Sequence, residues 1–352
     1  MAQSLQHSVN FLGKPEVTSF PLITIAMPIK NREWALQYVL KSIEKQDYPK
    51  KYVKIVFVDN YSTDGTYDIL LKWKETMEKY YNSIVLIREE GNIAHLRNKC
   101  VDLAEGKYLI FWDSDIVAPK FIIRRMVELA ELRGDAGMIE ATFHYVDVDY
   151  VPMIESLADE ELKVKEVMGA GTGFTLIRLD VCRQVGGFNE KLTVGEDTDF
   201  SYRLLEKTDY KILRINAKVL HLKHRDVILP RAHQDLSRWV RYNFYRRSEE
   251  YFLTYASLPK HLKIRLVYWL LLPLMIGGCI AIMLSSNSLL KILVIIALPL
   301  YLLPSICLNI IRQGIRDGLV MWVMFNLPTG LALSYGFLLK VFKKLLRRRN
   351  EH

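Results

Sequence analysis

Residues 108–116 read YLIFWDSDI: five apolar and aromatic side chains without interruption, then Asp113-Ser114-Asp115. A run of that length, with no polar face, is a strand buried on both sides. Such a strand lies inside a sheet covered by helices above and below, so this segment decides the fold class. Upstream, TIAMPI (24–29), VKIVFVD (53–59) and SIVLI (83–87) repeat the pattern. Between the four runs lie stretches of helical period: REWALQYVLKSIEKQ, TDGTYDILLKWKETMEKY and NIAHLRNKCVDLAEG, with PKFIIRRMVELAELRG after the last. The alternation predicts an α/β domain with a Rossmann-like, mostly parallel sheet.

After Ala141 the alternation breaks. Residues 143–168 are acidic and irregular and are expected to end in a helix. GAGTGFTLIR (169–178) reads as a Gly-rich turn entering a strand, EDTDFSYRLLEK (196–207) as a helix with an acidic first turn, and KILRINAKVLHL (211–222) as another strand.

The chain has 352 residues, half of them hydrophobic, and its charge is unevenly placed. Residues 231–352 hold 17 basic and 5 acidic side chains; residues 1–230 hold 31 and 34. No charge occurs in 266–290, 292–311 or 318–339. Each run is near the ~20 residues that cross a bilayer, which excludes a purely soluble protein. The expected organisation is a catalytic domain over 1–230, an interfacial amphipathic helix over 231–262, and a membrane domain over 263–340. Its three spans fall at about 264–287, 291–311 and 318–339, and a basic tail, 341–352, follows. Pro299 and Pro304 make the second span the one that could be broken. The N-terminus has neither basic nor apolar signal-peptide regions. The expectation is therefore an integral plasma-membrane protein with a cytoplasmic catalytic domain. Basic side chains beside a bilayer meet lipid headgroups and lipid phosphates, and no basic–aromatic stripe marks the first 230 residues, so nucleic acid is not an expected partner. Cys100, Cys182, Cys279 and Cys307 are isolated and form no metal or redox motif.

Ligands of such sheets bind at the carboxyl ends of strands, and polar clusters stand there. Asp113 and Asp115, two residues apart, can converge on one divalent cation and a ribose; a solvated turn would use the same letters. In VDNYSTDGT (58–66), Asp64 and Gly65 suit a plain helix start, whereas Asp59, ending an apolar strand, needs partners. Glu196, Asp197 and Asp199 are three acids in four positions, a source for a general base or simply a helix start favoured by the dipole. His221 and His224, placed just past a strand, could contact a metal or phosphate or be structural. Arg238-Trp239 could clamp a diphosphate or anchor the interface. No P-loop, dinucleotide fingerprint or nucleophile elbow occurs.

Taken in order, Pro28-x-x-Asn31-Arg32, the V-D-N-x-S-x-D-G-T segment, Arg97-Asn98, D-x-D, the Gly-rich turn, Gly186-Gly187-Phe188 and Glu196-Asp197 resemble glycosyltransferase family 2, over about residues 22–240. The resemblance implies the GT-A nucleotide-sugar fold and inverting, metal-dependent sugar transfer. It implies that Asp59, Asn60 and the loop Pro28–Lys30–Asn31–Arg32 hold the nucleobase. Arg97, Asp113, Ser114, Arg238 and Trp239 would hold the rest of the donor. Asp115, with His221, would bind Mn²⁺ or Mg²⁺, and Asp197 would be the general base. Gly171, Thr172, Gly173 and Glu196 would lie on the acceptor side. The membrane part is similar to the cellulose-synthase branch, where Q-x-x-R-W marks the interfacial helix. Here Asp235 stands in the glutamine's place and Gln234 one residue early. The expected substrates are a GDP- or UDP-linked sugar, with mannose from GDP-mannose foremost, and a dolichyl- or polyprenyl-phosphate-linked acceptor. A processive polysaccharide synthase and a catalytically inert membrane scaffold are the other readings.

Overall fold

The structure, a computed structural model, describes residues 20–148, 151, 159, 161–192 and 195–223, with positions 282 and 303 as isolated residues. The chain divides into two compact units, 1–227 and 228–352. The expected interfacial helix, membrane spans and basic tail, with His224, Arg238 and Trp239, lie outside the described residues. Among the described residues no helix is long and apolar enough to cross a membrane.

The first unit opens with β1 (Ile23–Ile29), α1 (Glu33–Glu44), β2 (Val53–Asp59), α2 (Thr66–Met77), β3 (Ser83–Arg88), α3 (Ile93–Leu103) and β4 (Tyr108–Trp112). It continues with β5 (Ile116–Val117), α4 (Ile122–Leu132), β6 (Ala136–Asp147), β7 (Val164–Val167) and β8 (Phe174–Arg178). Helix α5 (Leu179–Gln184), α6 (Glu196–Lys207) and β9 (Lys211–Lys223) complete it. All of β1, β2 and β4 is buried. The pleat divides their side chains between two cores. Ile25, Phe57, Ile110 and Trp112 pack with Leu36, Val39 and Met126 of α1 and α4 on one face. Ala26, Val56, Leu109 and Phe111 pack with Cys100, Val181 and Phe200 of α3, α5 and α6 on the other. The apolar runs are continuous because both faces are covered.

The strand order is β3-β2-β1-β4-β8-β6-β9-β5, with β7 beside β9. Pairs β1–β2, β1–β4, β2–β3 and β6–β9 are parallel; β4–β8, β6–β8, β5–β9 and β7–β9 are antiparallel. The sheet is thus mixed rather than mostly parallel. The helix expected at the end of 143–168 is instead the edge strand β7, whose charged Lys165 and Glu166 suit a sheet edge. Residues beyond Ala141 do not leave the sheet, since β6 runs on to Asp147.

The strand order turns at β1, with β2 on one side and β4 on the other, which makes a crevice at their carboxyl ends. The β1–β4 ladder runs Ile23–Ala26 against Tyr108–Phe111 and ends before Pro28, which has no N–H to give. Pro28 itself is buried within β1, paired with Val58.

Candidate active site

The loops after β1 and β2 are built as one piece. The Asn31 amide donates to Ser62 Oγ (2.9 Å), and the Thr63 amide donates to Asn31 Oδ1 (2.9 Å). The Arg32 amide donates to Thr66 Oγ1 (2.7 Å). Asn31 and Tyr61 adopt positive φ, 51° and 46°, strain that these cross-ties sustain. Asp59 is fully buried. Its carboxylate accepts from the Ser62 amide (3.1 Å) and from Arg88 Nε (3.0 Å). Arg88 also donates to the Ser62 carbonyl and lies over the rings of Tyr61 and Tyr67. Asp59 therefore fixes the loop, while Tyr61, 53% exposed, stands out from it. Asn60 Nδ2 donates to the Gly91 carbonyl, and Lys30 is exposed. Arg88 went unread in the sequence; the need of Asp59 for a partner was its only signal.

Across the crevice, the Asp113 amide donates to the Gly173 carbonyl (2.7 Å) and Ser114 is buried. The two-residue strand β5 pairs Ile116 with His221, which lies within β9 rather than past its end. That pairing sets His221 Nε2 3.3 Å from one oxygen of Asp115, and Arg32 Nε lies 3.3 Å from the other. His221 stacks on Tyr145 with ring centres 4.9 Å apart. The two carboxylates are poised differently. Burial, with Asp115 adding to it, pushes Asp113 up to about 6 against the opposing charges of Arg97, His221 and Arg32. Burial also acts to raise Asp115, but the hydrogen bond from His221 and the charges of His221 and Arg32 outweigh it, and Asp115 is held below the usual carboxylate range. Asp115 is thus an anionic oxygen donor beside an imidazole nitrogen, a set that suits Mn²⁺ or Mg²⁺. Among the described residues no three His, Cys, Asp or Glu side chains gather into a cage. Asp115 and His221 are the residues that would hold such an ion.

The three acids of α6 do not share a site. Gly195 turns the chain into the helix with φ 76°, and the first turn then sends each acid elsewhere. Glu196 makes a buried ion pair with Arg97, whose other terminal nitrogen lies 3.8 Å from Asp113 Oδ1. Asp199 holds Arg203 (2.8 Å), which also donates to the Val185 and Gly187 carbonyls. Asp197, half-buried, accepts the Thr198 amide on Oδ1, and its Oδ2 faces the Gly-rich turn. A Cβ added to Gly171 would lie 3.7 Å from that oxygen. Thr172, in the same turn, is 1% exposed and its hydroxyl has no partner. Gly173 is required for space: a Cβ there would come 3.0 Å from Asp113 Oδ2 and 3.2 Å from the Phe143 ring. Gly173→Ala is expected to cost about 1–3 kcal/mol in crowding and to displace Asp113, so nucleotide-sugar titration in Mn²⁺ should show weaker binding.

The loop leading to α6 is tied down at the start of α3. Asn98 exchanges hydrogen bonds with Phe188 and bonds Glu190, and His95 bridges Glu89 (2.9 Å) and Glu190 (3.1 Å). Hydrogen bonds first to Glu89 and then to Glu190 raise the His95 pKa above its ordinary value. The Glu89 pKa is lowered, chiefly by His95, and that of Glu190 by Asn98 and then His95. The His95 contribution is complete below the ordinary histidine pKa and is lost as pH rises through the raised one; the carboxylates' share is lost on acidification. The melting temperature of the full chain should therefore fall as pH rises above the ordinary histidine value of about 6.5 in the wild type, and less so in His95→Gln.

The family model of glycosyl transferase family 2 matches residues 24–186. The poly(ribitol-phosphate) beta-glucosyltransferase of Bacillus spizizenii is 37% identical over 95 residues, 26% of this chain and 14% of that protein. Glycosyltransferase AglE of Haloferax volcanii is 26% identical over 198 residues, 53% of this chain and 62% of that protein. The chain thus spans less than two thirds of the length of either relative. Among solved structures, a mannosyltransferase of Pyrobaculum calidifontis, in complex with GDP-Man and Mn²⁺, superposes with a TM-score of 0.60 at 16% identity. That likeness covers 93% of this chain and 89% of the other, and it shows the shared GT-A fold. With carboxylates at the strand ends of a mixed Rossmann-like sheet, residues 24–186 are a glycosyl transferase family 2 domain.

Proposed function

We propose that the chain moves a hexose from a nucleotide sugar to an acceptor hydroxyl by a single displacement that inverts the anomeric carbon. The observation that carries this reading is that one Gly-rich turn meets Asp113 at Gly173 and Asp197 at Gly171. The cross-tied loops after β1 and β2 receive the nucleobase, with Asn31, Arg32, Asn60 and Tyr61 at their surface. Asp113 faces the ribose and sugar. Asp115 and His221 hold Mn²⁺ or Mg²⁺, which when bound offsets the charge growing on the departing diphosphate. Asp197 takes the proton of the acceptor hydroxyl. Arg97 serves this site through Asp113 and Glu196 rather than as a free donor ligand.

The reading extends to a membrane enzyme acting on a dolichyl- or polyprenyl-phosphate-linked acceptor from a cytoplasmic domain. Its support is the three charge-free runs after residue 265 and the basic composition around them. GDP-mannose is the first donor to try, with UDP-sugars beside it. The test is nucleoside diphosphate release by the purified full chain in detergent with Mn²⁺, over a donor panel, with and without a polyprenyl-phosphate-linked sugar. Release from one donor, stimulated by acceptor, is expected. Donor binding without release from any panel member would favour the inert scaffold.

A further inference from the structure

The Gly-rich turn, residues 169–173, touches Asp113 at Gly173 and faces Asp197 at Gly171, and its backbone is held by several side chains. Ser201 Oγ accepts the Ala170 amide (3.2 Å) and donates to the Ala170 carbonyl (3.1 Å). Thr175 Oγ1 donates to the Gly171 carbonyl (2.6 Å). The Gly171 amide donates to Glu140 Oε1 (2.8 Å). Glu140 is a carboxylate whose side chain is 5% exposed, and its second oxygen accepts from Arg214 Nε at 2.6 Å. Arg214 is its direct partner across the parallel β6–β9 ladder, and a terminal guanidinium nitrogen of Arg214 lies 3.5 Å from the Gly169 carbonyl. The ladder shifts register between Glu140 and Thr142, and a bulge of this kind re-aims the neighbouring side chain.

A buried carboxylate is costly unless paired, and a turn amide could be satisfied by a neutral acceptor. The ionic pair therefore does more than fill a hydrogen bond: it pulls Gly171 and Gly169 onto the sheet from one side. We infer that Glu140 and Arg214 are positioning residues that set the Gly-rich turn, and through it the separation of Asp113 and Asp197, for sugar transfer. This inference rests on the proposed function for its effect on turnover.

Arg214 is 45% exposed, so its replacement removes little packing, but it leaves the buried Glu140 carboxylate without its charge partner, and a lower melting temperature is expected. In the full chain in detergent, Arg214→Met should lower kcat about tenfold, with calorimetric GDP and UDP affinities unchanged within about twofold. Arg214→Lys should recover most of kcat. Hydrogen exchange of peptides covering 169–173 should quicken in Arg214→Met and in Glu140→Gln. Unchanged kcat with unchanged exchange would overturn the inference. So would a loss of kcat matched by an equal loss of nucleotide affinity, the mark of a merely structural residue. If the wild type released no nucleoside diphosphate from UDP-glucose, UDP-N-acetylglucosamine or GDP-mannose, the proposed activity would fail. Exchange at 169–173 would then still decide whether the pair holds the turn.

Discussion

Asp197→Asn is expected to reduce turnover by about 10²–10⁴-fold while nucleoside diphosphate affinity stays within about twofold. The substitution keeps shape and keeps an oxygen for the Thr198 amide, so the helix start has no reason to move. What is lost is a proton acceptor at the face of the Gly-rich turn. Neither neighbouring acid can replace it, because Glu196 is committed to Arg97 and Asp199 to Arg203. Donor affinity is spared because Asp59, Asp113 and Asp115 sit on other elements. Turnover within several-fold of wild type would remove Asp197 from the base role. An acceptor that arrives already ionised, such as a lipid phosphate, would then replace the hydroxyl, since it has no proton to give up.

The first half of the domain was legible because its physics is local. Strands β1, β2 and β4 are buried on both faces and read as unbroken apolar runs, and α1–α4 carry their periodicity in plain view. The second half was not, because its order comes from pairing at long range. Nothing in Ile116-Val117 announces a strand, yet β5 is what brings His221 to Asp115. Nothing in VKEV distinguishes an edge strand from a helical end until β9 lies beside it. The partners of the motif residues could not be read from the sequence. Arg88 behind Asp59, Arg97 between Asp113 and Glu196, and Glu140 behind Gly171 are each contacts between residues far apart in sequence. Acids that stand together in the sequence, Glu196, Asp197 and Asp199, turn out to serve three separate partners.

Arg97 is the point at which stability and function are most tightly joined, and Arg97→Leu should have the largest effect on the fold. Its side chain is almost fully buried, ion-paired to Glu196, near Asp113, and packed over Phe111 and Phe188. Removing it leaves Glu196 as a buried charge without its partner, which costs about 3–5 kcal/mol. Thermal or denaturant unfolding of the variant should show that loss. Glu196→Gln alone should cost less, because Arg97 still has Asp113 within reach. In the double variant Arg97→Leu/Glu196→Gln no charge of the pair remains unmatched, so much of the stability should return, and the double-mutant cycle should give strong coupling. Donor binding should not return with it. Arg97 is the foremost charge holding Asp113 down against burial, and without it a carboxyl already at about 6 moves further up, so less of it is ionised to meet the donor. A double variant that folds well yet binds nucleotide sugar poorly would separate the two roles. One that recovers both would make Arg97 a structural residue alone.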